Sequence, residues 1–154
     1  MKKEIKLHYL EFDDETQLSN VDALLLKQAQ EAAQNAYAPY SKFKVGAAIL
    51  LDNGQIVKGN NQENIAYPSG LCAERVALFA AKANYPTQTI QTLAICAIYA
   101  DKILSSPIFP CGSCLQVLRE YQKLSDHKIR ILLQGMRGKV MIFEGVENLL
   151  PFGF

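Results

Sequence analysis

Apolar and polar positions change period several times along the chain, and each period assigns an element. Over residues 4–12 they alternate, with Ile5, Leu7 and Tyr9 on one side and Lys6 and His8 on the other, which predicts a strand. Asp13-Asp14-Glu15 interrupts it. Ser19 with Asp22 three residues on resembles a capping box. Val21, Leu24, Leu25, Ala29, Ala32 and Ala36 then recur at helical spacing. Pro39 is expected to end that helix, because the residue before proline is pushed out of helical geometry. Phe43 to Leu51 and Gln55 to Lys58 flank Asn53-Gly54, a strong hairpin signal. Residues 59–71, rich in glycine and asparagine, read as a loop. Ala73 to Ala83 is a strong helix former. Leu93 to Tyr99 is a continuous apolar run of strand length, suited to a buried central strand. Pro110 precedes a second such helix near Cys111 to Leu124, and Ile129 to Leu133 and Val140 to Phe143 are two more short strands. Strands alternating with helices predict an α/β layer structure on a mixed sheet.

Length and charge narrow the picture. The 154 residues suit one domain, 49% of them hydrophobic, without need of disulfide staples. Lys and Arg number 16 against 15 Asp and Glu, a net charge of +1, which argues against a nucleic-acid polymer as partner. The longest apolar run, Leu93 to Ala100, is far too short to span a membrane. Lys2 and Lys3 are followed by Glu4 rather than an apolar segment, so no secretory signal is expected and a cytoplasmic location is. Four cysteines are too few for a disulfide scaffold and need another explanation.

Three of them open predicted helices: Cys72 one, Cys111 and Cys114 another. A helix N-terminus carries about half a positive charge and favours the thiolate, the form that binds metal. Three thiolates suit tetrahedral Zn²⁺ with its fourth position open, the arrangement of catalytic sites. His8 and His127 lie outside both segments, and Cys96 sits in mid-strand as an expected inert core residue. Glu74 follows Cys72 by two residues, where a carboxylate at the helix mouth could move protons for a metal-activated water. Arg75 can offset the net negative charge of zinc on three thiolates by donating to their sulfurs. Other readings stay open on residues alone. A C-x-x-C pair can be a redox couple, buried cysteines are often inert, and Glu74-Arg75 can be a solvated helix pair.

The segments CAERVA (Cys72 to Ala77) and PCGSCLQVLRE (Pro110 to Glu120) resemble the zinc motifs of the cytidine deaminases. C-x-E rather than H-x-E, followed by arginine, is similar to the small homotetrameric nucleoside branch. APYSKFKVGAAIL (Ala38 to Leu50) and GNNQENIAYPSGLCAER (Gly59 to Arg75) match that family's substrate-binding stretches in order and spacing. The resemblance implies a three-layer α/β fold with a mixed five-stranded sheet flanked by helices. It implies one zinc per subunit on Cys72, Cys111 and Cys114, and Glu74 as the catalytic acid and base. Asn61 and Glu63 would bind the ribose hydroxyls, Phe43 would pack on the pyrimidine, and the Ala73 backbone would read the base edge. Tyr67 would line the pocket of a neighbouring subunit. The tail LLPFGF is similar to a family segment whose aromatic covers the base in an adjacent subunit, which selects Phe154 ahead of Phe152.

The implied reaction is hydrolytic deamination of cytidine and 2′-deoxycytidine in pyrimidine salvage, by a homotetramer with sites at subunit interfaces. The alternatives are a deaminase of a modified nucleoside such as blasticidin S, and a non-catalytic zinc or nucleoside-binding module. On residues alone, Phe43 also fits a core strand position, Asn61 and Glu63 a turn, and Phe154 a frayed end. Three features depart from the family pattern. Leu115 stands where arginine is usual, Ile65 where a small residue is usual, and residues 1–18 extend the chain. That extension is expected to add a strand at a sheet edge or a subunit contact.

Overall fold

The hairpin, the apolar run and the terminal strands join in one sheet. A computed structural model describes residues 1–99 and 102–154, so Ala100, which closes the apolar run, lies outside the described residues. The chain order is β1 (Leu10–Phe12), α1 (Asn20–Gln34), β2 (Phe43–Leu51), β3 (Ile56–Asn60) and α2 (Ala73–Asn84). There follow β4 (Ile90–Tyr99), α3 (Gly112–Lys123), β5 (Arg130–Gln134) and β6 (Val140–Glu144). Three single-turn 3₁₀ segments, Glu15–Gln17, Tyr67–Ser69 and Val146–Asn148, punctuate the loops. The strands lie in the order β1-β6-β5-β4-β2-β3. Every pairing is antiparallel except β4 with β5, whose connection carries α3.

The sheet has six strands, the five that the resemblance implied and β1, which the N-terminal extension adds at a sheet edge. It pairs with β6, Leu10 opposite Ile142 and Phe12 opposite Val140, and so covers an edge that would otherwise be open. Only three of the nine alternating residues form a ladder. Two of the others also touch the fold: the His8 N–H donates to Asn148 Oδ1 at 2.9 Å, and the Tyr9 ring lies 5.5 Å from that of Phe143. The alternation therefore marks a strand longer than the one that forms, and Ile5 and Leu7 are exposed.

Alternate residues of each central strand feed two cores. Leu25, Leu26 and Ala29 of α1 pack with Ala48, Ala94, Cys96, Leu132 and Ile142 on one face. On the other, Ala73, Ala77, Leu78 and Ala81 of α2 and Leu115 and Leu118 of α3 pack with Ala47, Ile49, Leu93, Ile95, Ile131 and Leu133. Two glycines allow close approach of helix to sheet. A Cβ at Gly46 would lie 2.0 Å from the Ala29 carbonyl oxygen of α1, and one at Gly59 would lie 2.4 Å from the Ala77 nitrogen of α2. Cys96 is the core residue expected: it is fully buried and its thiol donates to the Leu26 carbonyl at 3.6 Å. Burial raises its pKa far above the usual thiol range.

α1 stops at Gln34, four residues short of the position before Pro39; Asn35 caps it, and Tyr37 N–H turns to the Asn61 carbonyl. Its buried stripe includes Leu26 and Ala33, while Val21 and Leu24 face outward. Half of the expected capping box forms, with Asp22 N–H donating to Ser19 Oγ at 3.2 Å. The Asp22 carboxylate is instead held by both terminal nitrogens of Arg130, at 2.8 and 3.1 Å. Among the described residues no helix is long and apolar enough to cross a membrane.

Candidate metal centre and the cleft beside it

Helices α2 and α3 lie on the same face of the sheet, and both begin at cysteine. Cys72 and Cys111 occupy the N-cap positions in extended conformation, with φ/ψ of −68/152 and −71/164, and no side chain caps either helix. Cys114 sits in the first turn of α3 and is buried. Cys72 Sγ is 4.0 Å from Cys111 Sγ, and Cys111 Sγ is 3.4 Å from Cys114 Sγ. All three sulfurs lie within 4.8 Å of one another. Tetrahedral zinc with Zn–S bonds near 2.3 Å would separate its sulfurs by roughly 3.8 Å. The cluster is of that size, is all-thiol, and fits one zinc ion per chain.

Charge around the cluster is arranged to hold thiolate. Cys72 is lowered to about 5, chiefly by a hydrogen bond with Cys114 and then by Arg75. Cys114 moves upward, since it shares a proton with the Cys72 thiolate and is buried. Arg75 Nη2 donates to Cys72 Sγ at 3.6 Å, while its Nε is buried without a partner. Glu74 is only 6% exposed, and burial pushes its carboxyl up to about 7. Ala73, between cysteine and glutamate, is fully buried against the sheet.

The polar residues predicted to bind sugar gather at the ends of β2 and β3. Asn61 Oδ1 accepts from Val45 N–H at 2.8 Å, and its Nδ2 donates to the Phe43 carbonyl at 2.9 Å, so its amide prolongs the hairpin ladder. Glu63 Oε2 accepts from the N–H groups of Tyr40 and Ser41 at 2.9 and 3.3 Å, and Oε1 accepts from Ser41 Oγ. The Ser41 hydroxyl is the first cause that holds Glu63 below the usual carboxylate range. Phe43 is half-buried with its ring 5.9 Å from that of Tyr99. Gln62 and Leu71 exchange backbone hydrogen bonds at 2.9 Å in both directions. Glu63 and Cys72 each adjoin one member of that pair, which links the residues predicted to bind sugar to the cysteine cluster.

Two predicted residues stand apart. Tyr67 is 90% and Phe154 95% exposed, and the latter's carbonyl accepts from Gln116 Nε2 at 3.1 Å and Lys123 Nζ at 3.4 Å. The atypical Leu115 is buried in the core beneath α3, and the atypical Ile65 is exposed on the loop. Sequence reading passed over Ser41. Its position in A-P-Y-S, two residues before Phe43, was the available signal, since serine in a turn often bonds nearby backbone.

Three thiols at two helix mouths with a buried carboxylate between them define a zinc centre of the kind used in hydrolysis. Residues 19–127 match the model of the cytidine and deoxycytidylate deaminase zinc-binding region. A cytidine deaminase of Halalkalibacterium halodurans is 39% identical over 85% of this chain and 92% of its own length. One from Sporosarcina psychrophila is 36% identical over 84% and 88%. The crystal structure of cytidine deaminase from Burkholderia pseudomallei superposes with a TM-score of 0.75 at 35% identity, covering 89% of this chain and all of that one. The chain belongs to the cytidine and deoxycytidylate deaminase family.

Proposed function

We propose that the chain catalyses hydrolytic deamination of cytidine and 2′-deoxycytidine, adding water and releasing ammonia to leave the corresponding uridine. The observation that carries this reading is the convergence of Cys72, Cys111 and Cys114 beside the buried Glu74. The relatives' names support the choice of nucleoside. Zinc held by the three thiolates supplies the Lewis acidity that makes water nucleophilic near neutral pH. Glu74 takes a proton from the attacking water, delivers it to ring N3, and later carries a proton to the departing amine. A carboxyl near 7 is suited to both halves of that task. Arg75 tempers the charge of the thiolates, and the Ala73 backbone with Glu74 reads the base edge. Phe43 packs on the pyrimidine, while Asn61 and Glu63 take the ribose hydroxyls.

Residues 1–154 act as one domain in this reading, and the working form is a homotetramer. Tyr67 and Phe154 complete a neighbour's site, which agrees with their exposure on a single chain. A reducing, cytoplasmic setting keeps the three ligand thiols available. The test is ammonia release from cytidine, 2′-deoxycytidine and blasticidin S with zinc counted per chain. Bound zinc without ammonia from any of them would leave a binding module. Ammonia from blasticidin S alone would move the substrate class. Loss of activity on dilution, matched by dissociation in sedimentation and repeated by deleting Phe154, is expected of shared sites.

A further inference from the structure

We infer that Ser41 is a positioning residue for the sugar end of the site: its hydroxyl sets Glu63 and Phe43 relative to each other and leaves Glu63 one acceptor site for a 3′-hydroxyl. The inference rests on the cytidine reading above and concerns a residue outside the metal centre.

The direction of the bonds follows from the donor inventory. A serine hydroxyl has one proton to give and two lone pairs to accept with. Phe43 N–H donates to Ser41 Oγ at 3.0 Å, so the hydroxyl proton is free for Glu63 Oε1, which can only accept. Glu63 Oε2 already takes the N–H groups of Tyr40 and Ser41. An ionised carboxylate has about four lone-pair sites, and three are occupied. One remains, suited to a single hydroxyl that donates.

The backbone is bent to make this possible. Lys42, between Ser41 and Phe43, has φ of 59°, the one positive value at a non-glycine position among the described residues. A lysine held there is strained against its preferred region and persists only where its surroundings demand it. The turn is closed by Lys42 N–H on the Ala38 carbonyl at 3.1 Å, and Glu63 N–H anchors the opposite loop on the Tyr37 carbonyl at 2.8 Å. On its other side Phe43 is held through its carbonyl by Asn61 Nδ2. Both backbone groups of Phe43 are thus engaged by side chains, and Ser41 joins this clamp to the carboxylate.

The experiment compares the parent enzyme with Ser41→Ala and Ser41→Thr on cytidine and on 3′-deoxycytidine, with zinc per chain and Tm recorded for each. A hydrogen bond to a charged group is commonly worth a factor of about ten or more in binding. Ser41→Ala should raise KM for cytidine about tenfold, change kcat by less than about twofold, and raise KM for 3′-deoxycytidine, which lacks the hydroxyl that Glu63 takes, several-fold less than for cytidine. Ser41→Thr, which keeps the hydroxyl, should recover most of the loss. Equal losses on the two substrates, a fall in kcat alone, or no loss on cytidine would each overturn the inference. Should the alanine variant fail to fold, Ser41→Cys, a weak donor of similar size, takes its place. A parent that releases no ammonia from cytidine would instead defeat the functional reading itself.

Discussion

Single residues in this protein carry charge in places where water cannot do so. Glu74 is the clearest case, held near 7 by burial two residues from a metal ligand. Glu74→Gln keeps shape and the three thiols but cannot move protons, so zinc content should stay at one per chain while kcat falls at least ~10²-fold. Near-normal turnover in that variant would remove Glu74 from the chemistry. Arg75→Gln withdraws the donor to Cys72 Sγ, and zinc should then yield to a competing chelator at 10–100-fold lower concentration. Glu63 offers a prediction in pH. Its folded pKa lies below its unfolded one, so its contribution is complete at neutral pH and is lost only as pH falls through the lowered value. Ser41→Ala should move that carboxyl back toward 4.5, read from its carboxyl carbon shift in an NMR titration. An unmoved pKa would argue against the Ser41–Glu63 bond. At this scale the three metal ligands were legible as cysteines at two helix starts, although a redox pair and inert burial stayed open until the sulfurs came together. Ser41 was not, since serine in a turn is common and its partner lies 22 residues away.

Elements matter here through how closely they approach. The helix that begins at Cys72 is seated on β3 by Gly59, whose absent side chain leaves room for the Ala73 carbonyl and the Ala77 nitrogen. Gly59→Ala places a Cβ 2.4 Å from that nitrogen, so α2 must shift and carry Cys72 and Glu74 with it. The expected result is a loss of 1–3 kcal/mol in denaturant unfolding, roughly that of an overpacked core, together with weaker zinc binding. A variant of parental stability and zinc affinity would show that α2 has slack. Strand periods were legible almost to the residue in β2, which spans Phe43–Leu51 as predicted. The end of α1 was not. Pro39 forbids helix only locally, while the pull of Tyr37 toward Asn61 ends the helix earlier.

The whole molecule closes its sheet with its own N-terminus. β1 covers β6, Lys139 pairs with Glu11 at 2.5 Å, and Gln134, fully buried, donates to Glu15 at 2.9 Å. Removing residues 1–16 uncovers the β6 edge and takes one of two acceptors from the buried Gln134 Nε2, leaving it the Gly138 carbonyl. Tm should fall by several degrees and soluble aggregates should appear, with zinc per chain unchanged, as scanning calorimetry and light scattering would record. Unaltered stability and assembly would make the extension dispensable. The alternation over residues 4–12 announced this edge strand but not its length, because only Leu10–Phe12 find partners on β6.

By itself the sequence determined the element types, the two helix starts that carry cysteine, the acidic and basic residues beside them, and the inert Cys96. These depend on local spacing, which a chain displays without folding. Only the tertiary structure decided that Cys72 meets Cys111 across 39 residues. It also decided that Glu74 is buried rather than solvated, and that Ser41 binds Glu63. It left Tyr67 and Phe154 facing outward from the single chain. Each of these depends on the distance between segments that the sheet brings together, and that distance is set by packing, not by sequence separation.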